Sequence, residues 1–265
     1  MKNIAVYLLL LIAGIAFSCS QTAKDKYANE KPVENPDKIL TNFQSWWTYH
    51  SRYVKLNDDF TPLDTAFQVM TEENFRKLLT TGQYLPLRLL SPDSSTHYTL
   101  YKLNSSVENN IKEQLKDWAY TEYKYFQMKG KALTGFNYTD LNGKIYDEET
   151  TKNKIVVLKF WFIGCAPCVA EMPELNNLVT RYKNRDDVVF VSLAFDERKK
   201  LENFLKKKKF DYAVIPDQED YLTKDLNVRS YPTHLIINKQ GKVVKVLNTA
   251  HEIIAALDKE SLIIK

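Results

Sequence analysis

The 265-residue chain carries 37 Lys and Arg against 33 Asp and Glu, a formal charge of +4 that is too small to mark a nucleic-acid binder. Hydrophobic residues at 44% and charged residues at 26% exclude a wholly disordered chain, and seven glycines exclude glycine-rich repeats. Three cysteines are too few for a disulfide framework, and the length suits two domains.

The chain opens on Met1-Lys2-Asn3, a short basic start, and runs apolar from Ile4 to Phe17. That is too short for a hydrocarbon core, which needs roughly 20 apolar residues. A basic start, a short apolar stretch and small residues before a break read as a signal peptide over residues 1–18. Ala16-Phe17-Ser18-Cys19 resembles a bacterial lipobox, which implies lipidation of Cys19 and a membrane anchor. Ala16 departs from the usual Leu, and Ala16-x-Ser18 also suits an ordinary signal peptidase, so plain secretion stays open. Ser20 resembles the residue that passes lipoproteins to the outer membrane. Ser20 to Asp37, polar with Pro32 and Pro36, predicts a flexible tether over residues 19–37.

Residues 38–130 predict a smaller α+β domain of unassigned role, rich in Trp and Tyr, with Trp46, Trp47, Tyr49 and Tyr53 close together. These aromatics either form a partner surface or fill a small core, and the core is favoured. Thr71-Glu72-Glu73 starts a short helix carrying Phe75, Leu78 and Leu79, closed at Gly82. Tyr84–Leu90 and His97–Leu103 predict a hairpin around Ser91-Pro92-Asp93-Ser94. Ser105 or Ser106 is expected to cap a long helix with Val107, Ile111, Leu115, Trp118 and Tyr125 on one face, ending at Gly130.

From residue 131 strands and helices alternate. A hairpin turns at Asn142-Gly143, and Ile155–Phe162 reads as a strand buried on both faces. A helix follows over 166–182, with Pro173 expected to kink it and free a carbonyl. Next come a buried strand over 188–194, an amphipathic helix over 198–209, a short strand over 212–215 and a short helix over 219–226. Thr233–Asn238 and Lys242–Leu247 form a hairpin, and Thr249-x-x-Glu252 is a capping box opening the last helix.

The chemistry lies in Cys165-Ala166-Pro167-Cys168. A lone C-x-x-C is half a zinc site, a redox pair or a coincidence. Structural zinc takes four ligands. Only Cys19 is left among the cysteines, and His234 and His251 show no paired spacing, so neither metal nor cofactor is expected. Haem attachment needs His where Val169 stands. A pair that follows a buried strand and opens a helix favours redox chemistry, because unpaired N–H groups at the helix start stabilise a Cys165 thiolate.

The segment KFWFIGCAPCVAEMPEL, Lys159 to Leu175, resembles the active-site segment of the TlpA/ResA family of bacterial envelope thiol–disulfide oxidoreductases. The resemblance covers residues ~132–262 and implies a thioredoxin-like fold over 131–265, a mixed central sheet flanked by helices. It implies catalysis by Cys165 and Cys168, with Glu171 moving protons for the buried cysteine. Glu171 lies one helical turn beyond Cys168, and the expectation is a raised pKa, against the plainer role of a surface or capping residue. Tyr231-Pro232-Thr233 resembles the family's second hallmark, a cis-proline loop facing the cysteines. Proline lacks an N–H and leaves neighbouring backbone free to pair with an extended substrate, so Tyr231, Pro232, Thr233 and Trp161 are substrate-binding candidates.

Two positions depart from the family. Lys159 stands where relatives carry Asp or Asn, and is expected either to pair with Glu171 beneath Cys168 or to snorkel to the surface. Gly164 replaces the usual Trp before the first cysteine. Lys159, Ala166 and Pro167 are candidate tuning residues. The implied activity is disulfide exchange with protein substrates, as a reductase fed by a membrane thiol donor of the DsbD/CcdA type. A scaffold lipoprotein with a static disulfide is the alternative. A thiol peroxidase needs Thr or Ser and Pro ahead of one reactive cysteine, which Phe162, Ile163 and Gly164 do not supply.

Overall fold

A computed structural model describes residues 26–133 and 135–263, so the expected signal peptide over 1–18 and Cys19 lie outside the described residues. The chain forms two compact units that divide between Tyr123 and Lys124. Among the described residues no helix is long and apolar enough to cross a membrane.

In the first unit, short polar side chains start each early helix by accepting orphan backbone N–H groups. Asn35 caps α1 (Pro36–Ile39), Asn42 caps α2 (Phe43–Tyr53), and Thr71 caps α3 (Glu72–Leu79). Strand β1 (Thr61–Leu63) runs parallel to β3 (His97–Lys102), which pairs antiparallel with β2 (Tyr84–Arg88), giving the sheet order β1-β3-β2. The Trp and Tyr residues mostly fill the core: Trp46, Tyr49 and Tyr98 are buried with Ile39, Phe75, Leu79, Leu85, Ile111 and Leu115. Trp47 is the exception, 47% exposed.

Two expectations give way here. Residues 26–37 are packed rather than free. Tyr27 is buried edge-on against His97, Glu30 Oε2 lies 2.7 Å from His97 Nδ1, and Pro32 bridges Leu89. Tyr27 has apolar area to bury, and the backbone of Lys31 and Val33 bonds to Leu90 and Arg88, so a tether can extend only up to Lys26. Ser105 and Ser106 do not cap the long helix. Asn104 Oδ1 accepts both the N–H and the hydroxyl of Ser106, which holds these residues in a turn, and helix α4 (Asn109–Met128) starts later.

The second unit begins in the last turn of α4, where Tyr125 and Met128 join its core. Strands β4 (Asn137–Thr139) and β5 (Ile145–Asp147) form a small hairpin. Asp140 Oδ1 accepts the N–H of both Asn142 and Lys144, and Gly143 takes φ 84°, which only glycine adopts freely. The main sheet has the order β10-β9-β6-β7-β8, from β6 (Ile155–Trp161), β7 (Val188–Ala194), β8 (Ala213–Ile215), β9 (Thr233–Ile237) and β10 (Val243–Leu247). Strands β6, β7 and β8 are parallel, while β9 runs antiparallel to β6 and β10, giving the mixed sheet of a thioredoxin-like fold.

All seven residues of β6 are buried, and their two-residue period splits them between layers. Val156, Leu158 and Phe160 pack with Val191, Leu193, Leu235 and Ile237. Ile155 and Val157 face Leu175 and Leu178 of α6 (Met172–Arg181) and Ile253 and Leu257 of α8 (Ala250–Ile263). Trp161, on the same side, packs with Leu201 of α7 (Arg198–Leu205). The helix expected over 219–226 is a π-helical turn, Tyr221–Asp225, with Leu226 N–H bonding Tyr221 C=O.

His50 sits within ring contact of Trp46, Trp47 and Trp118, and its Nδ1 is buried without a hydrogen-bond partner among the described residues. Burial, aided by the Lys55 charge, pushes its pKa down to about 4. A folded value below the unfolded ~6.5 gives stability that is present above pH 6.5 and lost as pH falls toward 4. Between pH 7 and pH 4.5, urea titrations should show His50→Gln losing about 2–3 kcal/mol less stability than the wild type.

Candidate functional site

Strand β6 ends at Trp161, and the turn Phe162-Ile163-Gly164 delivers the chain to a helix start. Asp196 Oδ2 accepts the Ile163 N–H at 2.7 Å, and the Cys165 N–H bonds the Phe162 C=O, which together fix the turn. Cys165 is the N-cap of α5 (Ala166–Ala170), and its sulfur accepts the Cys168 N–H at 3.3 Å. Pro167 sits in the first turn, where its missing N–H is not needed. Cys165 and Cys168 form a disulfide with Cα atoms 5.3 Å apart. Cys165 is 5% exposed, whereas Cys168 is fully buried among Trp161, Met172 and Val169.

The expected single helix is broken at Glu171. Pro173 has no N–H to donate to the Val169 carbonyl, so the helical ladder stops, and the last bond of α5 runs from the Glu171 N–H to the Pro167 carbonyl at 3.3 Å. Helix α6 then restarts with Pro173 in its first turn. The joint turns the Glu171 side chain into the layer that Lys159 faces. Oε1 is bound by Lys159 Nζ and by His234 Nε2 at 2.9 Å, and Oε2 accepts the Ala250 N–H at 2.9 Å at the start of α8. Lys159 and His234 are directly opposite each other in the β6–β9 register, and both side chains are fully buried.

Lys159 therefore pairs with Glu171 and does not snorkel. The expectation of a raised Glu171 pKa is corrected. Burial pushes it up, but the hydrogen bond from His234 and the Lys159 ammonium outweigh burial and hold the carboxyl below its usual range. Burial pulls Lys159 down against the opposing pull of Glu171. Burial also lowers His234, against the bond to Glu171, leaving a neutral ring that donates Nε2–H to the carboxylate. His234 Nδ1 is buried with no hydrogen-bond partner among the described residues.

Sequence reasoning set His234 aside as isolated. The signal that finds it is register: β9 lies antiparallel to β6, so the second residue after Pro232 faces Lys159.

The Tyr231–Pro232 peptide bond is cis. The half-buried Tyr231 ring packs edge-on against Phe195 at 4.9 Å and Phe162 at 5.8 Å, and Phe162 and Phe195 stack at 5.2 Å. A Cβ at Gly164 would lie 3.5 Å from the Phe162 ring, so Phe162 fills the space beside that glycine. Phe162, Phe195 and Tyr231 present partly exposed aromatic surface, and sequence reasoning had chosen only Tyr231.

Trp161 is corrected as a substrate contact. It is fully buried against Phe204 and Phe210, because its place in the strand period turns it inward. The Thr233 side chain is also buried, which leaves its backbone as the part a substrate could meet. No cluster of three or more His, Cys, Asp or Glu suited to a metal ion occurs among the described residues.

Residues 129–246 match the AhpC/TSA family. The chain is 36% identical over 117 residues to the thiol–disulfide oxidoreductase ResA of Bacillus thuringiensis subsp. konkukian, covering 44% of this chain and 67% of the relative. It is 34% identical over 134 residues to ResA of Bacillus thuringiensis strain Al Hakam, covering 50% and 73%. Against ResA of Bacillus subtilis it is 31% identical over 120 residues, covering 45% and 66%. With the disulfide at the helix start and the cis-proline beside the sheet, this similarity places the chain in the TlpA/ResA family: it is a thiol–disulfide oxidoreductase acting on protein substrates.

Proposed function

We propose that the protein works as a reductase of protein disulfides in the bacterial envelope. The asymmetry of the cysteine pair carries this reading: Cys165 reaches solvent and Cys168 does not. In the reduced enzyme, the Cys165 thiolate attacks one sulfur of a substrate disulfide and forms a mixed disulfide. The Cys168 thiolate then attacks Cys165 Sγ. The Cys165–Cys168 disulfide forms, the substrate leaves with both sulfurs reduced, and two protons pass to its thiolates. A membrane thiol donor of the DsbD/CcdA type returns the two electrons. Tyr231 and the backbone beside Pro232 receive the substrate as an extended segment, with Phe162 and Phe195 next to them.

Cys165→Ser is expected to abolish insulin reduction, and Cys168→Ala to accumulate mixed disulfides visible by mass spectrometry. Equal activity in Cys165→Ser, or a wild-type disulfide that resists reduction, would identify a static disulfide. Peroxide turnover without insulin reduction would identify a thiol peroxidase.

Lys159 and Glu171 set the charge around Cys168 in this scheme. Removing the lysine charge leaves a net negative neighbour, and removing the carboxylate leaves a net positive one. Titration of reduced enzyme should raise the Cys168 pKa in Lys159→Met and lower it in Glu171→Gln, each by about one unit. Unchanged values in both variants would remove the pair from the chemistry.

The anchor is proposed to be lipid on Cys19, with Ser20 directing the protein to the outer membrane. Metabolic labelling with a radioactive fatty acid should mark the wild type and not Cys19→Ala, which should appear in the soluble envelope fraction.

A further inference from the structure

The loop ahead of β9 has to hold a defined shape without regular structure of its own. Residues 227–232 are irregular, yet they carry Tyr231 and Pro232. Two ties fix the first half: the Val228 N–H bonds the Leu222 C=O at 2.9 Å, and the Tyr231 hydroxyl donates to the Val228 C=O at 3.2 Å. The second half is fixed from inside. Thr233 Oγ1 donates to the Ser230 C=O at 2.7 Å, bracketing Tyr231 and Pro232 between the bonded residues.

A threonine hydroxyl has one hydrogen, and here the Ser230 carbonyl takes it. The contact of 2.9 Å between Tyr125 Oη and Thr233 Oγ1 is therefore a bond that Tyr125 donates. The result is a directed chain, Tyr125 to Thr233 to Ser230. Tyr125 and Thr233 are both buried, so water does not compete for the chain, and losing one link leaves a buried hydroxyl underused. Tyr125 packs in the same core as Leu222, Val228 and Leu235, which aims its hydroxyl at the loop. It lies on α4, ahead of the stretch 129–246 that the family match covers.

We propose that Tyr125 is a positioning residue for disulfide exchange: its bond to Thr233 clamps the Ser230–Thr233 loop in the shape against which a disulfide-bearing polypeptide docks. The clamp rests on the substrate-binding role proposed above for that loop. It acts on docking and not on the sulfur chemistry, because Tyr125 packs with Leu222 and Val228 while the cysteines pack in a separate cluster around Trp161 and Met172.

Two measurements on the full chain test it. Tyr125→Phe keeps the ring and deletes the donor. KM for insulin should rise about fivefold, the equivalent of roughly 1 kcal/mol, with kcat and the reduction potential of the pair unchanged. Amide exchange at Tyr231 should speed up by a similar factor. Thr233→Val should raise KM alike, the double variant should be no worse than either single variant, and Thr233→Ser should restore the wild-type KM. An unchanged Tyr231 exchange rate overturns the proposal. So does an unchanged KM, even with a lowered melting temperature, and so do additive losses in the double variant. Should wild-type protein fail to reduce insulin, the reductase reading falls, and the exchange measurement alone decides the clamp.

Discussion

An ammonium group buried under a sheet needs a counter-charge, and this requirement organises the second unit. Lys159 lies in β6, a strand buried along its whole length, where desolvation draws its pKa down. Glu171 answers it from the joint between α5 and α6. Pro173 supplies the break. The second Glu171 oxygen caps α8, and His234 closes the remaining side. One buried charge thus ties together the central strand, the cysteine helix, the cis-proline strand and the last helix.

The same network changes what Glu171 is suited to do. A carboxyl meant to hand out protons is expected to hold one near neutral pH. With Oε1 shared by two donors and Oε2 on a backbone N–H, this one is a fixed anion. Lys159 and His234 both bring an N–H group to Oε1, and burial draws the Lys159 pKa down against the opposing pull of the carboxylate.

What the sequence revealed, and what it hid, follows from how local each signal is. An apolar run broken only by Lys159 exposed β6, the C-x-x-C spacing exposed the redox pair, and Tyr231-Pro232-Thr233 exposed the loop. The Lys159–Glu171 pair was within reach because strand period and helical spacing both turned inward. His234 was hidden because its neighbour is set by antiparallel register, a non-local property. Trp161 was misread because proximity to the cysteines in sequence says nothing about which face of the strand it takes. The packing of residues 26–37 depends on a sheet edge formed more than fifty residues later. Asn104 outcompeted Ser105 and Ser106 through a turn that uses the same kind of side-chain acceptor as a helix cap.

The Glu171–Ala250 bond carries a practical meaning for anyone handling the protein. The first turn of the last helix is wired into the charge network behind the cysteines, although it lies 85 residues beyond Cys165 in the chain. A shortened form ending before Ala250 would strip Glu171 Oε2 of its backbone donor and the sheet of Ile253 and Leu257, while every cysteine is still in place.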